Sequence, residues 1–246
     1  MASRQTAKPA RERLLDAAER LFARRGYHAV SIRDITEAAK VDVALVKYHF
    51  GGKRALLVAV FGRRAEVLNR ERLERLEALR PGANGQYDLE AVVNAFMEPL
   101  IRRSARGGRG WKAYFGLVAH VNNSPELSVL MTRNFDPLVH KFIEVLLAAL
   151  PGADPRDVYW GYHFLTGALT LTFAETRRID KLSGRLCRSS DLDSVHARFA
   201  PFMAAGFSAL VARRGGPPNR DALGPRAAPK RRRAKRATAG SGAAGG

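Results

Sequence analysis

The segment SIRDITEAAKVDVALVKYHFGGK, residues 31–53, decides how the rest of this chain is interpreted. Apolar side chains recur at helical spacing behind Ser31, a residue type that often caps the N-terminus of a helix. The pattern breaks at Lys40, and Asp42 is placed to cap a second helix. Two short helices joined by a turn of about three residues form a helix-turn-helix, whose second helix can enter the DNA major groove.

The alternative is that these two helices belong to an ordinary α-helical core, and their spacing alone does not separate the two interpretations. In the helix-turn-helix interpretation, Ile35, Val41 and Val46 face inward and hold the crossing angle of the two helices. The exposed remainder of the second helix then faces the bases or the DNA backbone. Those residues are Val43, Ala44, Lys47 and Tyr48.

The charge distribution favours a polyanionic partner. The chain has 246 residues and a formal net charge of +19. Residues 1–70 contain 15 Lys and Arg against 7 Asp and Glu. Residues 213–246 contain 10 basic residues against 1 acidic residue. The segment between them, residues 71–212, is nearly balanced, with 17 basic and 15 acidic residues. Two cationic ends indicate DNA as the partner. Genomic base composition can also raise the arginine content, so charge alone does not establish DNA binding.

Several other classes of protein are excluded by the sequence. The single cysteine, Cys187, cannot form an intramolecular disulfide or a multi-cysteine zinc site. No apolar segment of a secretory signal follows the basic N-terminus, and no stretch approaches the ~20 apolar residues of a membrane span. The expectation is a cytoplasmic, nucleoid-associated protein with no membrane partner.

No sequence pattern of a common enzyme class is present. The chain lacks a phosphate-binding glycine motif, an HExxH motif and a nucleophile-elbow sequence. Its later histidines lie too far apart for the paired spacing of metal ligands. They are His120, His140, His163 and His196. We therefore expect no catalytic residues, no metal site and no cofactor.

The rest of the chain is predicted to be helical, which gives an all-α fold class. A first helix over residues 10–25 carries an apolar stripe and ends at Gly26. Periodic apolar positions then predict six helices after the helix-turn-helix. They cover residues 53–80, 88–105 (with a kink at Pro99), 111–121, 124–150 (with a kink at Pro137), 158–178 and 191–213.

These patterns divide the chain into four segments. Residues 1–9 are predicted to be a flexible basic arm, residues 10–53 a three-helix DNA-binding head, residues 54–213 a helical domain, and residues 214–246 a disordered basic tail. The Lys and Arg run of the tail resembles a segment that binds nucleic acid without sequence preference. A solvated tail with no task explains the same composition equally well.

The head resembles the tetracycline-repressor (TetR) family of bacterial transcriptional regulators over about 50 residues. The matching motifs are LLDAAERLFARRGY (14–27), SIRDIT (31–36) and YHFGGKRALL (48–57). The resemblance implies a homodimer whose heads occupy successive major grooves of a near-palindromic operator. It also implies a C-terminal helical domain for ligand binding and dimerisation, which binds a small apolar or aromatic effector that releases the DNA.

The resemblance also assigns roles to residues. Ser31 caps the second helix and contacts phosphate, and Lys53 meets phosphate at the start of the fourth helix. The full predicted DNA-binding set is Ser31, Arg33, Asp42, Val43, Ala44, Lys47, Tyr48, His49 and Lys53. The chain departs from the family at Lys40, where the family has a turn glycine, and a non-glycine residue in a left-handed conformation costs about 1–2 kcal/mol.

In the family, the last two long helices form the dimer interface, which places it here on residues 158–178 and 191–213. A monomeric core could also explain their apolar stripes. The predicted ligand pocket consists of Phe96, Trp111, Tyr114, Phe115, Phe135, Tyr159 and His163. Aromatic residues at helical spacing are more often core residues than ligand contacts, and His163 could equally be a core histidine.

Together these features predict a ligand-responsive, DNA-binding transcriptional regulator, with repression as the expected action. The alternative is an architectural protein that binds DNA through its basic tail regardless of sequence.

Overall fold

The computed structural model describes residues 8–212, and α-helices are the regular elements of that range. The all-α prediction is confirmed. The helices are α1 (Ala10–Arg25), α2 (Ile32–Ala39), α3 (Ala44–Phe50), α4 (Lys53–Ala78), α5 (Leu89–Arg106), α6 (Gly108–Asn122), α7 (Ser128–Ala149), α8 (Pro155–Phe173), α9 (Arg178–Leu182) and α10 (Leu192–Ala212). Most of the predicted basic arm and all of the predicted basic tail lie outside the described residues.

The N-terminal three helices form as the apolar periodicity predicts. The α1 stripe is fully buried at Leu14 and Phe22, and it packs against Ile35 of α2 and Val46 of α3, which are also buried. Gly26 ends α1 with a positive φ of 75°, and its N–H donates to the Phe22 carbonyl at 2.9 Å. The predicted bounds of α1 are confirmed.

α4 is the element that joins the head to the larger helical bundle. It contacts α1 and α3 of the head and also packs against α5, α6 and α7. α1 also packs along α6, and α10 packs on α5 and α8. In the bundle core the Phe96 and Phe142 rings stack at 4.1 Å between centroids. The division into domains at residues 53 and 54 stays a prediction.

Several predicted helix bounds in the bundle are wrong. α6 begins at Gly108 instead of Trp111, because the glycine break is confined to the bend at Gly107. α7 begins at Ser128 instead of residue 124, because the residues after Ser124 form turns closed by the Ser128 hydroxyl, which donates to the Pro125 carbonyl at 2.7 Å.

α8 is shifted towards the N-terminus relative to the prediction. It begins at Pro155 behind the capping carboxylate of Asp154, which accepts from the Arg156 N–H at 2.9 Å. It ends at Phe173 because Glu175 and Arg177 adopt positive φ angles of 43° and 56°, which no α-helix can contain. The predicted polar loop that follows contains the short helix α9, so the predicted number of helices after α3 is too low by one.

α10 has the length and composition of a membrane-spanning helix, contrary to the prediction that no stretch approaches one. It has 21 residues, and an 18-residue window within it has a mean hydropathy of 1.3. Of that window, 22% is buried. Length and composition alone are weak evidence for a span. The same apolar, largely uncovered surface is what a helix needs when it packs against another protein chain.

Candidate DNA-binding surface and ligand cavity

The N-terminus of α2 is fixed by a capping box. The Ser31 hydroxyl accepts from the Asp34 N–H at 3.1 Å, and the Asp34 carboxylate accepts from the Ser31 N–H at 2.7 Å. The Ser31 hydroxyl also donates to the Asp34 carboxylate at 2.5 Å. That hydrogen bond, together with the one from the Ser31 N–H, lowers the pKa of Asp34 below its usual value. The cap predicted for Ser31 is confirmed, and Ser31 is exposed at the N-terminus of α2.

The turn between α2 and α3 adopts the left-handed conformation despite its lysine. Lys40 has φ 53° and ψ 51°, and its N–H donates to the Glu37 carbonyl at 3.1 Å. The Lys40 carbonyl accepts from Arg13 of α1 at 3.2 Å. Contacts from α1 thus hold a turn that costs about 1–2 kcal/mol more with lysine than with glycine.

α3 presents one face to the core and the other to solvent. Val46 is buried, whereas Val43 is 53% exposed and Tyr48 is 81% exposed. Ala44 and Lys47 are exposed on the same short helix. Apolar methyl groups, a cation and a phenol side by side can contact thymine methyl groups, guanine edges and phosphates.

The other predicted DNA-binding residues lie around α3. The predicted cap at Asp42 is wrong by one residue, because Val43 is the N-cap and α3 begins at Ala44. Asp42 is exposed one residue earlier, and its carboxylate accepts from the Ala44 N–H at 2.7 Å. Arg33 is exposed on α2. His49 is half-buried next to the Tyr48 ring, with 4.9 Å between centroids.

Lys53, the first residue of α4, is held over an aromatic ring of the head. Its ammonium nitrogen lies 4.3 Å from the centroid of the Tyr27 ring, in cation–π contact. The structure therefore places the whole predicted set on α2, α3, their flanking turns and the start of α4. Which of these residues contact bases and which contact phosphates stays a prediction.

A buried carboxylate connects the head to α4. Glu19 of α1 is 1% exposed and accepts from Arg63 at 2.9 Å and from Arg64 at 2.6 and 2.9 Å. Arg63 also donates to Asp16 at 2.9 Å. Burial acts to raise the pKa of Asp16, but hydrogen bonds from Lys8 and Arg63 outweigh it, so that this pKa is lowered. This network fixes α1 on the same helix that continues into the bundle.

A cavity of about 70 Å³ lies between α4, α5, α6, α7 and α8. Its walls are mainly apolar and aromatic. Three of the predicted pocket residues line it: Phe96, Phe115 and Phe135.

The other four predicted pocket residues do not line this cavity. Trp111 is buried between the guanidinium groups of Arg64 and Arg103, each 4.9 Å from its ring. Tyr114 is fully buried beside the Phe61 ring. The remaining two lie on the surface of α8 and not in its packed interior: Tyr159 is 48% exposed, and His163 is also exposed.

Arg72 of α4 lines the cavity and was not predicted. It is 4% exposed, its Nε donates to the Phe96 carbonyl at 2.8 Å, and its Cζ lies 3.9 Å from the centroid of the Phe96 ring. Burial lowers the pKa of Arg72 to about 10, so the side chain remains cationic at neutral pH. The sequence could have predicted its burial, because Arg72 lies four residues from both Leu68 and Leu76, which are buried on the apolar stripe of the same helix.

Comparisons with known proteins agree with this architecture. Residues 14–60 match the model "Bacterial regulatory proteins, tetR family", and residues 94–206 match "Tetracyclin repressor-like, C-terminal domain". The chain is 33% identical over 100 residues to the HTH-type transcriptional activator FasR of Mycolicibacterium smegmatis, and 29% identical over 101 residues to the HTH-type transcriptional regulator UidR of Escherichia coli K12. Each match covers 40% of this chain and about half of the relative, 43% and 48% respectively.

The fold is shared with solved structures of low sequence identity. The ketosteroid transcriptional regulator KstR2 of Mycobacterium tuberculosis superposes with a TM-score of 0.56 at 16% identity. That superposition covers 82% of this chain and 96% of the other. The arrangement of α1–α10 is therefore that of an established class of helical proteins.

Proposed function

Because the chain belongs to the TetR family of bacterial transcriptional regulators, we propose that it binds a near-palindromic operator as a homodimer and represses transcription until a small effector releases it. The observation that carries this proposal is the exposed surface of α3 and of the residue before it. Val43 precedes the helix, Ala44, Lys47 and Tyr48 lie on it, and all four are exposed while Val46 is buried. A rigidly seated short helix with such a face suits insertion into the major groove. The protein would act in the cytoplasm, on the nucleoid.

In this proposal the contacts around α3 divide into two kinds. Ser31, at the capped N-terminus of α2, and Lys53, held over Tyr27, contact phosphates and position the head. Val43 and Tyr48 reach base edges and set the sequence preference. The remaining members of the predicted set supplement the phosphate contacts or support the start of α3.

Dimerisation through α8 and α10 is supported by their uncovered apolar surface. On α8 the exposed fraction is 58% for Trp160, 58% for Phe164 and 65% for Leu171. Phe202 of α10 is 73% exposed. The two helices pack against each other where Gly161 lies against the Phe207 ring. Large aromatic residues exposed side by side are typical of a surface that is covered by a partner chain, here a second copy.

A ligand response is supported by the course of α4. This helix begins at Lys53 beside α3 and carries Leu68 and Arg72 into the wall of the cavity. Two positions of α4 would correspond to two separations of the heads in the dimer. A ligand that binds one position more tightly would shift the equilibrium towards that separation, by as much as its difference in affinity allows. The rigid contact of Glu19 with Arg63 and Arg64 would carry the displacement to α1.

The test is DNA binding by the full chain and by a version that ends at residue 214. Each would be titrated by fluorescence anisotropy against the intergenic DNA upstream of its own gene and against a scrambled duplex, at two salt concentrations. We expect a preference of about a thousandfold or more for one site, retained without the tail. Equal, salt-sensitive binding to both duplexes that disappears with the tail would support the architectural alternative instead.

The direction of regulation needs a separate readout. FasR is an activator by name, so relatedness does not decide the sign. A reporter gene behind the bound region should rise in expression when this gene is deleted. A fall in expression would mean activation and would contradict the repressor proposal while leaving operator binding intact.

A further inference from the structure

Arg72 is a buried cation without a carboxylate partner among residues 8–212. Its only hydrogen bond in that range is the one that Nε donates to the Phe96 carbonyl. The partly buried arginines of the same helix differ, because Arg63 and Arg64 both donate to Glu19. The two terminal nitrogens of Arg72 are therefore left without a protein acceptor in the described residues.

This arrangement is costly for a purely structural side chain. The terminal nitrogens of Arg72 keep some accessible surface, but most of the side chain is removed from water without a counter-ion, which destabilises the fold. An apolar residue of similar volume would normally be more favourable at such a position. Stacking on the Phe96 ring, at 3.9 Å from Cζ to the centroid, offsets part of this cost. Stacking covers a face of the guanidinium and leaves its edge available to an acceptor.

The other polar groups in the cavity wall already have partners. The Asn122 side-chain amide donates to the Thr170 hydroxyl at 2.9 Å. The Tyr162 hydroxyl is hydrogen-bonded to Thr166. Within residues 8–212, Arg72 is the charged side chain that lines this cavity, and the rest of the lining is mainly apolar.

We propose that the cavity binds a small apolar carboxylic acid, whose carboxylate accepts two hydrogen bonds from the terminal nitrogens of Arg72. The apolar body of the acid would lie against Phe115 and Phe135. This inference rests on the proposed function, because it treats the cavity as the effector site. A planar carboxylate can accept two parallel hydrogen bonds from the edge of a guanidinium group, and a neutral polar group matches that geometry less well. The carboxylate also neutralises the buried charge.

The volume of the cavity limits the size of the acid. A cavity needs about 10–15 Å³ of this volume to hold one water molecule, so the 70 Å³ present here holds about five to seven. That space suits a compact body of one ring rather than a long acyl chain. Suitable probes are benzoate, phenylacetate and 3-phenylpropionate.

The experiment is isothermal titration calorimetry of the full chain, without DNA, with each of the three acids and with the corresponding primary amides. We expect saturable binding of at least one acid at one site per subunit. The amide should bind about tenfold to a hundredfold more weakly, because a charge-assisted hydrogen-bond pair is lost. This comparison uses the unmodified protein and does not depend on the folding of any variant.

Two variants then assign the effect to Arg72. Arg72→Met should weaken binding of the acid by about tenfold to a hundredfold and leave binding of the amide nearly unchanged. Arg70→Met is the matched control, since Arg70 is exposed on the same helix, and it should bind the acid as the unmodified protein does. Circular dichroism establishes that each variant is folded.

Three outcomes would overturn the inference: no binding by any of the acids, equal binding of acid and amide, or unchanged acid binding by a folded Arg72→Met variant. Operator binding measured separately distinguishes this failure from failure of the proposed function. A protein that selects its operator but binds none of the acids remains a regulator with a different effector. A protein that binds an acid through Arg72 but selects no operator has lost the proposed function and kept the site.

Discussion

Replacing Glu19 with alanine should cost the protein a large part of its stability. Glu19 is buried, and its carboxylate accepts three hydrogen bonds from Arg63 and Arg64. Removing one partner of a buried charge network typically costs about 3–5 kcal/mol. Because the Arg63 and Arg64 side chains are 24% and 19% exposed and can regain some hydration, we expect a loss of about 2–4 kcal/mol for Glu19→Ala.

The matched control is Glu12→Ala on the same helix. Glu12 is 36% exposed and meets Arg63 through one contact at 3.3 Å, and exposed pairs contribute about 1 kcal/mol or less. The assay is urea unfolding followed by circular dichroism at neutral pH. All variants need the same subunit concentration, because the stability of a dimer depends on it.

The outcome of this comparison bears directly on the role of the network. If Glu19→Ala loses no more stability than Glu12→Ala, the buried carboxylate does not hold α1 on α4, and Glu19 does not couple the two helices. Glu19→Gln keeps one acceptor oxygen and should fall between Glu19→Ala and the unmodified protein. Equal losses for Gln and Ala would mean that the negative charge, and not the hydrogen bonds, provides the stabilisation.

Three further predictions follow from the head and from α8. Lys40→Gly should raise the free energy of unfolding by up to about 1 kcal/mol, measured by urea unfolding. Glycine relieves the strain of about 1–2 kcal/mol in the left-handed turn, but its greater freedom in the unfolded chain offsets part of that gain; a loss of stability would contradict this view of the turn. Lys53→Ala should weaken binding to all duplexes and lower the slope of log affinity against log salt concentration by about 1, the value of one phosphate contact. Tyr48→Ala should mainly change the sequence preference. Identical behaviour of the two variants would refute the assignment of α3. Trp160→Ser should raise the dimer dissociation constant at least about tenfold in analytical ultracentrifugation, and the equally apolar, exposed control Leu186→Ser should not.

An acid-sensitivity prediction follows from Asp16. Its folded-state pKa is lowered, so its contribution to stability is present above the unfolded-state value, near 3.8, and is lost as the pH falls through the folded value. The free energy of unfolding, measured between pH 5 and pH 2, should therefore decline less steeply with falling pH in Asp16→Asn than in the unmodified protein. Parallel declines would show that the ion pairs with Lys8 and Arg63 contribute little.

The parts of this fold that follow from neighbouring residues could be predicted. Ser31 followed by Asp34 produces a capping box, and Gly26 ends α1, because both features depend on residues within one helical turn. The bounds of α8 failed for the opposite reason. Glu175 and Arg177 adopt left-handed conformations that their residue types do not signal.

The ligand site shows the same division. Of the residues that the aromatic pattern proposed for a pocket, Phe96 and Phe115 line the cavity, whereas Tyr159 and His163 lie on the exposed side of α8. Helical spacing shows that two residues share a face but does not show which neighbour covers that face. Arg72 was missed because sequence patterns normally assign a charged residue to solvent.

By itself, the sequence determined that the chain is helical, where the helix-turn-helix lies, and which side chains α3 can offer to DNA. These properties depend on the periodicity and capping of short segments, whose contacts are separated by three or four residues. Only the tertiary structure decided that Arg72 is buried without a carboxylate partner among residues 8–212, that Glu19 joins α1 to α4, and which face of α8 is left uncovered. Those facts depend on packing between helices that are far apart in the chain, and no local pattern encodes the partner of a buried face.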